Sequence, residues 1–296
     1  NDNKTLTYLS NDGVYTSINS VGVDGQKRTT IVPTGGPVMH HLSLADNGSL
    51  GMIGEAPKHA REVFVLPKGA KTPKKLTDHN PWLKDMEFAP QEVITHNARD
   101  GLKLEGILVR PLGAKSGQRY PLVLSVHGGP ESHVPQGWVT AYHGLGQVGA
   151  ANEMAVFYPN YRGSTGRGLK FSKMGQKDAA GAEFDDLVDA VDHLIKIGLV
   201  DKSKVGVTGG SYGGYATAWG STFYSKRFAA GVMFVGISDN VSKVGTTDIP
   251  WEMYHVHHFK WLWEDWNYFL KRSPIYHIEK AQTPLLIMHG KNDPRV

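Results

Sequence analysis

The sequence has no cysteine, no long apolar run and no concentrated charge of one sign. The lack of cysteine excludes a disulfide framework, a zinc site with thiolate ligands and a cysteine nucleophile. The longest apolar stretch, residues 228–237, has ten residues, whereas a membrane-spanning helix needs about 18. Lys and Arg exceed Asp and Glu by 32 − 28 = 4, and these charges are scattered apart from a small basic cluster at residues 68–75. Because nucleic-acid binding normally needs a basic patch on one face, we predict neither a membrane span nor a nucleic-acid partner.

What the sequence does contain is enough apolar material for a large core. Its 296 residues are 40% hydrophobic and 10% aromatic, and this length corresponds to about two domains of roughly 150 residues each. The sequence begins with Asn1 rather than Met, and it stops shortly after a predicted strand. We therefore expect a fragment truncated at both ends, whose cellular compartment stays open.

Residues 1–81 have the pattern of an all-β segment. Short apolar runs lie at residues 6–9, 14–18, 29–32, 42–45, 50–53 and 62–66. The Asp-Gly and Asn-Gly dipeptides between them favour tight hairpins. Two such turns place Gly13 and Gly48 35 residues apart, close to the length of one propeller blade, about 40 residues. We predict propeller blades here, with a small β-sandwich as the alternative.

From about residue 82 onward, strands and helices alternate. Strand patterns lie at residues 92–97, 102–109, 122–126, 155–158, 205–208, 229–235 and 285–288. Apolar residues between 184 and 195 follow helical spacing, and Gly198 ends the pattern. Four carboxylates of this helix are expected to be solvated surface groups: Asp185, Asp186, Asp189 and Asp192. The alternation predicts a mainly parallel sheet with helices on both faces, whose ligands bind beyond the carboxyl ends of the strands.

The strand pattern at 205–208 runs directly into Gly-Gly-Ser-Tyr-Gly-Gly at residues 209–214. Gly-x-Ser-x-Gly between a strand and a helix is the pattern of a nucleophile elbow. The serine of an elbow sits on a strained turn, so the positions two before and two after it must be very small. We therefore predict Ser211 as a nucleophile and the N–H of Tyr212 as an oxyanion donor. The alternative is a structural glycine-rich turn.

A second oxyanion donor is expected from the loop after residues 122–126. That strand pattern ends in His-Gly-Gly-Pro at residues 127–130, and a His-Gly-Gly loop in this position supplies such an N–H in hydrolases. We predict Gly129 as the donor because a residue without Cβ allows close approach. His127 is disfavoured as the general base because the expected chain order is Ser, Asp, His. The alternative is a turn that only ends the strand.

The acid of a catalytic triad should follow a late strand. Residues 285–288 lead to His-Gly-Lys-Asn-Asp, and Asp293 lies 82 residues after Ser211. A carboxylate there can orient an imidazole and stabilise its charged form, so we predict Asp293 for this role. Asp239, which follows the preceding strand pattern, is the alternative, and either residue could instead cap a loop.

Four of these segments resemble the prolyl oligopeptidase family of serine peptidases. The matching segments are 127–130, 159–164 (Pro-Asn-Tyr-Arg-Gly-Ser), 209–214 and 289–296. The resemblance covers residues 82–296, and the His-Gly-Gly-Pro form is most similar to the acylaminoacyl-peptidase and bacterial dipeptidyl-peptidase-like branches. Members with a Tyr at the position of His127 use its phenol as an oxyanion donor. This chain lacks that Tyr, so the resemblance points to the N–H of Gly129 instead.

The resemblance implies a fold and an activity. It implies an α/β hydrolase domain over residues 82–296, preceded by the last two blades of a β-propeller over residues 1–81. It also implies cofactor-free hydrolysis of short peptides by a Ser-Asp-His triad. The catalytic His of the family lies further along the chain than its Asp, whereas this sequence ends three residues after Asp293. We therefore expect that His to lie beyond Val296, and we expect residues 1–296 alone to lack peptidase turnover.

Other functions share parts of this pattern. A carboxylesterase or lipase-like hydrolase would have the same elbow, and a non-catalytic propeller–hydrolase binding protein would keep only the fold. His255, His257 and His258 could bind a metal, but no His-Glu-x-x-His pattern accompanies them. We expect these residues and the tryptophans near them to pack over the sheet, line the substrate entrance or form an oligomer contact. We predict no metal and no cofactor, and a homo-oligomer remains open.

Overall fold

The structure is a computed structural model that describes residues 4–140 and 144–296, so residues 1–3 of the predicted β segment lie outside the described residues. The strands of the N-terminal part are β1 (Thr5–Asp12), β2 (Tyr15–Gly22), β3 (Thr29–Val32), β4 (Val38–Leu44), β5 (Leu50–Ala56), β6 (His59–Leu66) and β7 (Lys74–Lys75). They form two antiparallel sheets, β1-β2-β3 and β4-β5-β6-β7. The predicted all-β segment is therefore confirmed.

One apolar core joins these two sheets. It contains Ile18 and Val32 from the three-stranded sheet and Met39, Met52 and Phe64 from the four-stranded sheet. Alternate residues of each strand point into this core because successive side chains of a strand lie on opposite faces. That the two sheets are propeller blades stays a prediction, since a shared core is equally typical of a sandwich.

The N-terminal part is attached to the rest of the chain through its first hairpin. The Gly13 N–H donates to the carbonyl of Gly166 over 2.7 Å, and the Gln136 N–H donates to the carbonyl of Val14 over 2.8 Å. Val14 is 1% exposed and packs into a core formed mainly by later strands. The hairpin tip is therefore part of the larger domain's packing. The predicted boundary between residues 81 and 82 falls within the 3₁₀ helix Pro81–Asp85 and stays a prediction.

Strands and helices alternate in the second part of the chain. The strands are β8 (Gln91–Asn97), β9 (Lys103–Val109), β10 (Tyr120–Val126), β11 (Ala155–Asn160), β12 (Val200–Ser211), β13 (Ala230–Gly236) and β14 (Leu285–Met288). The α-helices are α1 (Gly146–Ala151), α2 (Gly168–Ser172), α3 (Ala182–Lys196), α4 (Tyr212–Thr222), α5 (Asn240–Thr246), α6 (Pro250–Glu252) and α7 (Trp266–Lys271). A π-helical segment, Met253–His258, continues α6, and 3₁₀ helices lie at Ser225–Arg227 and Pro274–Lys280.

The strands of this part form one seven-stranded sheet in the order β14-β13-β12-β10-β11-β9-β8. The five strands from β14 to β11 are parallel, whereas β9 is antiparallel to β11 and forms a hairpin with β8. The turn of this hairpin is Arg99-Asp100-Gly101, with Gly101 at φ 87°. The expected mainly parallel sheet is thus confirmed, with an antiparallel hairpin at one edge.

Helices cover both faces of this sheet. Leu122, Leu124 and Phe157 pack on one face against α3 and α4. Val156 and Tyr158 pack on the other face together with Ala150 of α1. Neighbouring residues of one strand face opposite sides of the sheet. Because both sides are covered by helices, both kinds of position are apolar, and the strands appear in the sequence as continuous apolar runs. Within residues 4–140 and 144–296, no helix is both long enough and apolar enough to cross a membrane.

Candidate active site

Ser211 lies at the sharp turn between β12 and α4. Its backbone has φ 58° and ψ −120°. Residues other than glycine rarely adopt this combination of backbone angles. A Cβ on Gly209 would lie 2.4 Å from the carbonyl oxygen of Val126, and a Cβ on Gly213 would lie 2.0 Å from the same oxygen. Only glycine therefore fits two residues before and two residues after Ser211, as the elbow pattern requires. The side chain of Ser211 is half-buried, and its hydroxyl has no hydrogen-bond partner among the described residues.

The His-Gly-Gly-Pro loop lies directly against this turn because β10 and β12 are neighbours, with Val126 paired to Gly209. A Cβ on Gly128 would lie 3.3 Å from Ser211 Cβ and 3.7 Å from Tyr212 N. Gly129 is exposed, has φ 118°, and its N–H has no acceptor among the described residues. Tyr212 is the first residue of α4, and the first N–H groups of a helix lack partners within the helix. The loop and the turn thus bring Gly128 and the N–H of Tyr212 together beside Ser211, and the unpaired N–H of Gly129 belongs to the next residue of the loop.

His127 has a supporting position in this loop. Its Nε2 lies 2.9 Å from Ser164 Oγ, and its ring stacks on Tyr161 with 4.4 Å between ring centroids. The Tyr161 hydroxyl donates to the carbonyl of His127 over 2.9 Å. Desolvation lowers the pKa of His127 to about 4. The side chain is therefore neutral near pH 7, and its partners are loop residues rather than Ser211.

Asp293 follows β14 on the same edge of the sheet as Ser211. Its Oδ1 accepts hydrogen bonds from the N–H groups of Arg295 (2.8 Å) and Val296 (3.1 Å). These bonds to the charged form hold the pKa of Asp293 below its ordinary value. His289 Nε2 lies 3.5 Å from Asp293 Oδ2 but also 2.9 Å from the carbonyl oxygen of Val296.

The alternative acid, Asp239, is occupied as a helix cap. Its carboxylate accepts from the N–H groups of Val241 and Ser242 at the start of α5 and from the hydroxyl of Ser273. A side chain engaged in this way satisfies the first turn of the helix. Both carboxylates therefore accept bonds from backbone N–H groups, and Asp293 differs in that a histidine ring, that of His289, lies beside its Oδ2.

Two of the three clustered histidines are buried. His257 and His258 are 5% and 2% exposed, and the His257 ring packs edge-on against the Tyr212 ring at 5.4 Å. Desolvation lowers the pKa of each of these two histidines to about 3. Among the described residues, no group of three or more His, Cys, Asp or Glu side chains is arranged to hold a metal ion. His257 thus packs against the residue after the nucleophile, and His258 packs against Tyr268 and Phe269. His255 instead stacks on the exposed Trp251.

The prediction that Asp186 is a solvated surface group was wrong. Asp186 is 1% exposed, and its carboxylate accepts bonds of 2.7 and 2.8 Å from the guanidinium of Arg162, which follows β11. Asp185 and Asp189 instead pair with Arg99 at the surface. The helical pattern could not reveal this because the partner of Asp186 comes from a different part of the chain.

Sequence reasoning also missed a buried carboxyl group, Glu183. It is 1% exposed and accepts a 3.0 Å hydrogen bond from the hydroxyl of Tyr212. A signal was present, since Glu183 lies four residues before Leu187 and seven before Ala190, on the apolar face of α3.

The profile of the prolyl oligopeptidase family matches residues 144–296. The uncharacterized peptidase YuxL of Bacillus subtilis is 37% identical over 248 residues, which cover 81% of this chain and 36% of that protein. Dipeptidyl aminopeptidase BIII of Pseudoxanthomonas mexicana is 36% identical over 244 residues, which cover 79% of this chain and 35% of that protein. The chain thus spans about a third of the length of these curated relatives.

Solved structures show the same fold. An acylaminoacyl peptidase in complex with Z-Gly-Gly-Phe-chloromethyl ketone superposes with a TM-score of 0.84 at 23% identity, over 99% of this chain and 45% of that one. The acylaminoacyl peptidase of Pyrococcus horikoshii superposes with a TM-score of 0.82 at 22% identity, over 96% of this chain and 44% of that one. At this level of identity the similarity establishes the fold.

Proposed function

Because this chain belongs to the prolyl oligopeptidase family, we propose that it forms the catalytic region of a serine peptidase that hydrolyses short peptides. The observation that carries the proposal is the backbone of Ser211, held at φ 58° between β12 and α4 and next to the His-Gly-Gly-Pro loop. Such strain persists only where the surrounding structure enforces it, and it is typical of catalytic turns. The relatives named above as peptidases support the same reaction class.

In the proposed reaction, Ser211 Oγ attacks the carbonyl carbon of the substrate while a general base accepts the hydroxyl proton. The N–H groups of Gly129 and Tyr212 donate to the oxyanion of the tetrahedral intermediate. Collapse of this intermediate breaks the C–N bond, and the base returns the proton to the leaving amine. Water then hydrolyses the acyl-enzyme by the same steps. No metal or cofactor takes part in this scheme.

We propose that Asp293 orients the base and that the base is a histidine from outside residues 1–296. Among the described residues, the histidine next to Asp293 is His289, and the oxyanion loop itself contains His127. No described histidine contacts both Ser211 and Asp293. His289 also bonds to the carbonyl of Val296, and His127 bonds to the hydroxyl of Ser164. These partners argue against either histidine as the base.

We further propose that residues 82–296 are the hydrolase domain and that residues 1–81 are blades of a propeller that limits access to short peptides. The two antiparallel sheets and the docking of Val14 into the larger domain support this arrangement. A carboxylesterase would keep the same elbow but would not need such a covering domain, so peptides are the favoured substrates.

The test is active-site labelling of the natural full-length protein with a fluorophosphonate probe, followed by assays on short peptides and on esters. Ser211→Ala should abolish both labelling and hydrolysis, because it removes the nucleophile. Ser203→Ala, which changes an exposed serine on the same strand, is the matched control and should leave both intact.

Labelling that persists in Ser211→Ala would refute the assignment of the nucleophile. Hydrolysis of esters without hydrolysis of peptides would favour the carboxylesterase alternative. A folded wild-type protein without any labelling would favour a non-catalytic binding protein.

A further inference from the structure

Glu183 is a buried carboxyl group that touches the residue after the nucleophile. It is the second residue of α3 and is 1% exposed. Its Oε1 accepts from the Tyr212 hydroxyl (3.0 Å) and from the Ala180 N–H (2.5 Å), and its Oε2 accepts from the Gly181 N–H (3.1 Å). A buried carboxyl that accepts three hydrogen bonds is held in one position, because losing any of them would leave a buried polar group unpaired.

The hydroxyl is the polar anchor of the Tyr212 side chain. The ring packs among aromatic neighbours, with centroid distances of 5.3 Å to Tyr215, 5.4 Å to His257 and 5.7 Å to Phe184. Edge-on aromatic contacts of this kind tolerate small shifts and rotations. The hydrogen bond to Glu183 therefore fixes the direction of the ring and, through Cα, the orientation of the Tyr212 backbone.

The other two bonds join the same carboxyl to a strained loop. Lys177 and Ala180 have φ values of 69° and 57°, in the left-handed region that costs energy for residues with a Cβ. The Lys177 N–H donates to the carbonyl of His257 over 2.8 Å. Glu183 thus connects the nucleophile turn to the loop before α3, and that loop in turn bonds to His257.

We propose that Glu183 is a positioning residue of the oxyanion hole, whose buried carboxyl group anchors the Tyr212 side chain and thereby sets the direction of the Tyr212 N–H. The inference rests on the proposed function, in which that N–H stabilises the oxyanion. It assigns a role in the reaction to a carboxyl group that does not touch the substrate.

The surroundings of Glu183 disfavour its negative charge. The titratable groups that face it from the packed elements are Asp178, Tyr161, Tyr212, Tyr215 and Tyr268. Desolvation, with a smaller contribution from the carboxylate of Asp178, raises the pKa of Glu183 to about 8. The carboxyl is therefore largely neutral at pH 7, and glutamine is its uncharged analogue.

The test measures Ser211-dependent hydrolysis of p-nitrophenyl acetate by the natural full-length protein and its variants. Removing an oxyanion donor costs about 10²–10³ in turnover, so a displaced donor should cost about tenfold or more. We expect this loss of kcat, with KM nearly unchanged, in Glu183→Ala and in Tyr212→Phe. Glu183→Gln keeps an oxygen that can accept from the Tyr212 hydroxyl and the Ala180 N–H, but its amide NH2 cannot accept from the Gly181 N–H. It should therefore retain more of the wild-type kcat at pH 7 than Glu183→Ala does.

Tyr224→Phe is the matched control. The Tyr224 hydroxyl donates to Asp185, another carboxylate of α3, on the outer side of the helix and away from the turn. This variant loses the same kind of hydrogen bond and should keep full activity. Thermal melts identify variants that do not fold, and Tyr212→Phe, which removes a single oxygen, then decides the question if Glu183→Ala is unstable.

Wild-type kcat in folded Glu183→Ala or in Tyr212→Phe would overturn this inference while leaving the proposed function intact. An equal loss in Tyr224→Phe would overturn it as well. If the wild type hydrolyses the ester no faster than Ser211→Ala, both the inference and the proposed function fail.

Discussion

Single residues of the nucleophile turn carry a conformational cost that their neighbours must offset. A non-glycine residue in a sparsely populated region such as that of Ser211 costs on the order of 1–3 kcal/mol. The turn tolerates this cost because α4 is buried over its whole length and packs under the sheet. Gly209 and Gly213 allow β10 to approach so closely that the loop at Gly128 reaches the nucleophile. At this scale, the absence of a Cβ determines the site.

The first prediction concerns Gly213. In Gly213→Ala the new Cβ would overlap the carbonyl oxygen of Val126 at 2.0 Å, and we expect unfolding to become easier by about 3 kcal/mol or more. Gly245→Ala is the control because nothing lies within 4 Å of its Cβ position in α5. That change should stabilise the protein by about 0.5–1 kcal/mol, as expected in a helix. Urea denaturation measures both effects, and equal midpoints for the two variants would contradict the argument.

Among the elements, α3 contacts several of the loops around the site. Its first turn holds Tyr212 through Glu183, and Asp186 binds Arg162 at the end of β11. Arg162 also reaches Asp100 in the β8–β9 turn over 2.8 Å. A buried ion pair contributes little net stability when intact, but its loss leaves an unpaired charge in the interior. The pair connects α3 to the loops that follow β11 and β8, and we expect it to fix the position of α3 relative to them.

The second prediction concerns this pair. Asp186→Asn leaves Arg162 with Asp100 as its remaining acidic partner and should lower the free energy of unfolding by about 3 kcal/mol. Asp192 lies on the same helix as Asp186 and forms a more exposed ion pair with Arg227. Asp192→Asn should therefore cost less than about 1 kcal/mol. Chemical denaturation of both variants gives the comparison. An Asp186→Asn variant as stable as Asp192→Asn would show that the buried pair does not fix the helix.

At the scale of the whole molecule, neutral buried histidines are distributed among several packing regions. His96 packs between Phe157 and His193, and His127 stacks on Tyr161. His257 packs against Tyr212, and His258 packs against Phe269. Desolvation lowers the pKa of His96 to about 4, and the other three have values of about 3 to 4. The unfolded chain therefore binds more protons than the folded chain below about pH 6.5, so stability falls as the pH falls through this range.

The third prediction uses His96, which is 5% exposed. A folded pKa of about 4 against an ordinary value of 6.5 corresponds to about 3 kcal/mol of stability lost between pH 7 and pH 4. His96→Phe and His96→Gln both remove this ionisation, so both should flatten the acid side of the stability profile by that amount. Unfolding free energies measured at pH 7, 5.5 and 4 test this. A slope as steep as that of wild type would mean that His96 does not titrate as described.

The sequence by itself determined the features that depend on local pattern. The strands, the α3 helix and the elbow follow from apolar periodicity and from glycine at fixed distances from Ser211, because these constraints act within a few residues. The order of the motifs also indicated the family. That Ser211, Tyr212, Gly129 and Asp293 act together as site residues stays a prediction.

Only the tertiary structure decided which polar groups are buried and what they contact. Helical spacing could not distinguish buried Asp186 from exposed Asp192, because the difference lies in Arg162 and Arg227, which come from other elements. In the same way, Gly128 and Ser211 meet although 83 residues separate them, because β10 and β12 are adjacent in the sheet. Burial and pairing of this kind depend on which distant segments pack together, and a local pattern contains no information about those partners.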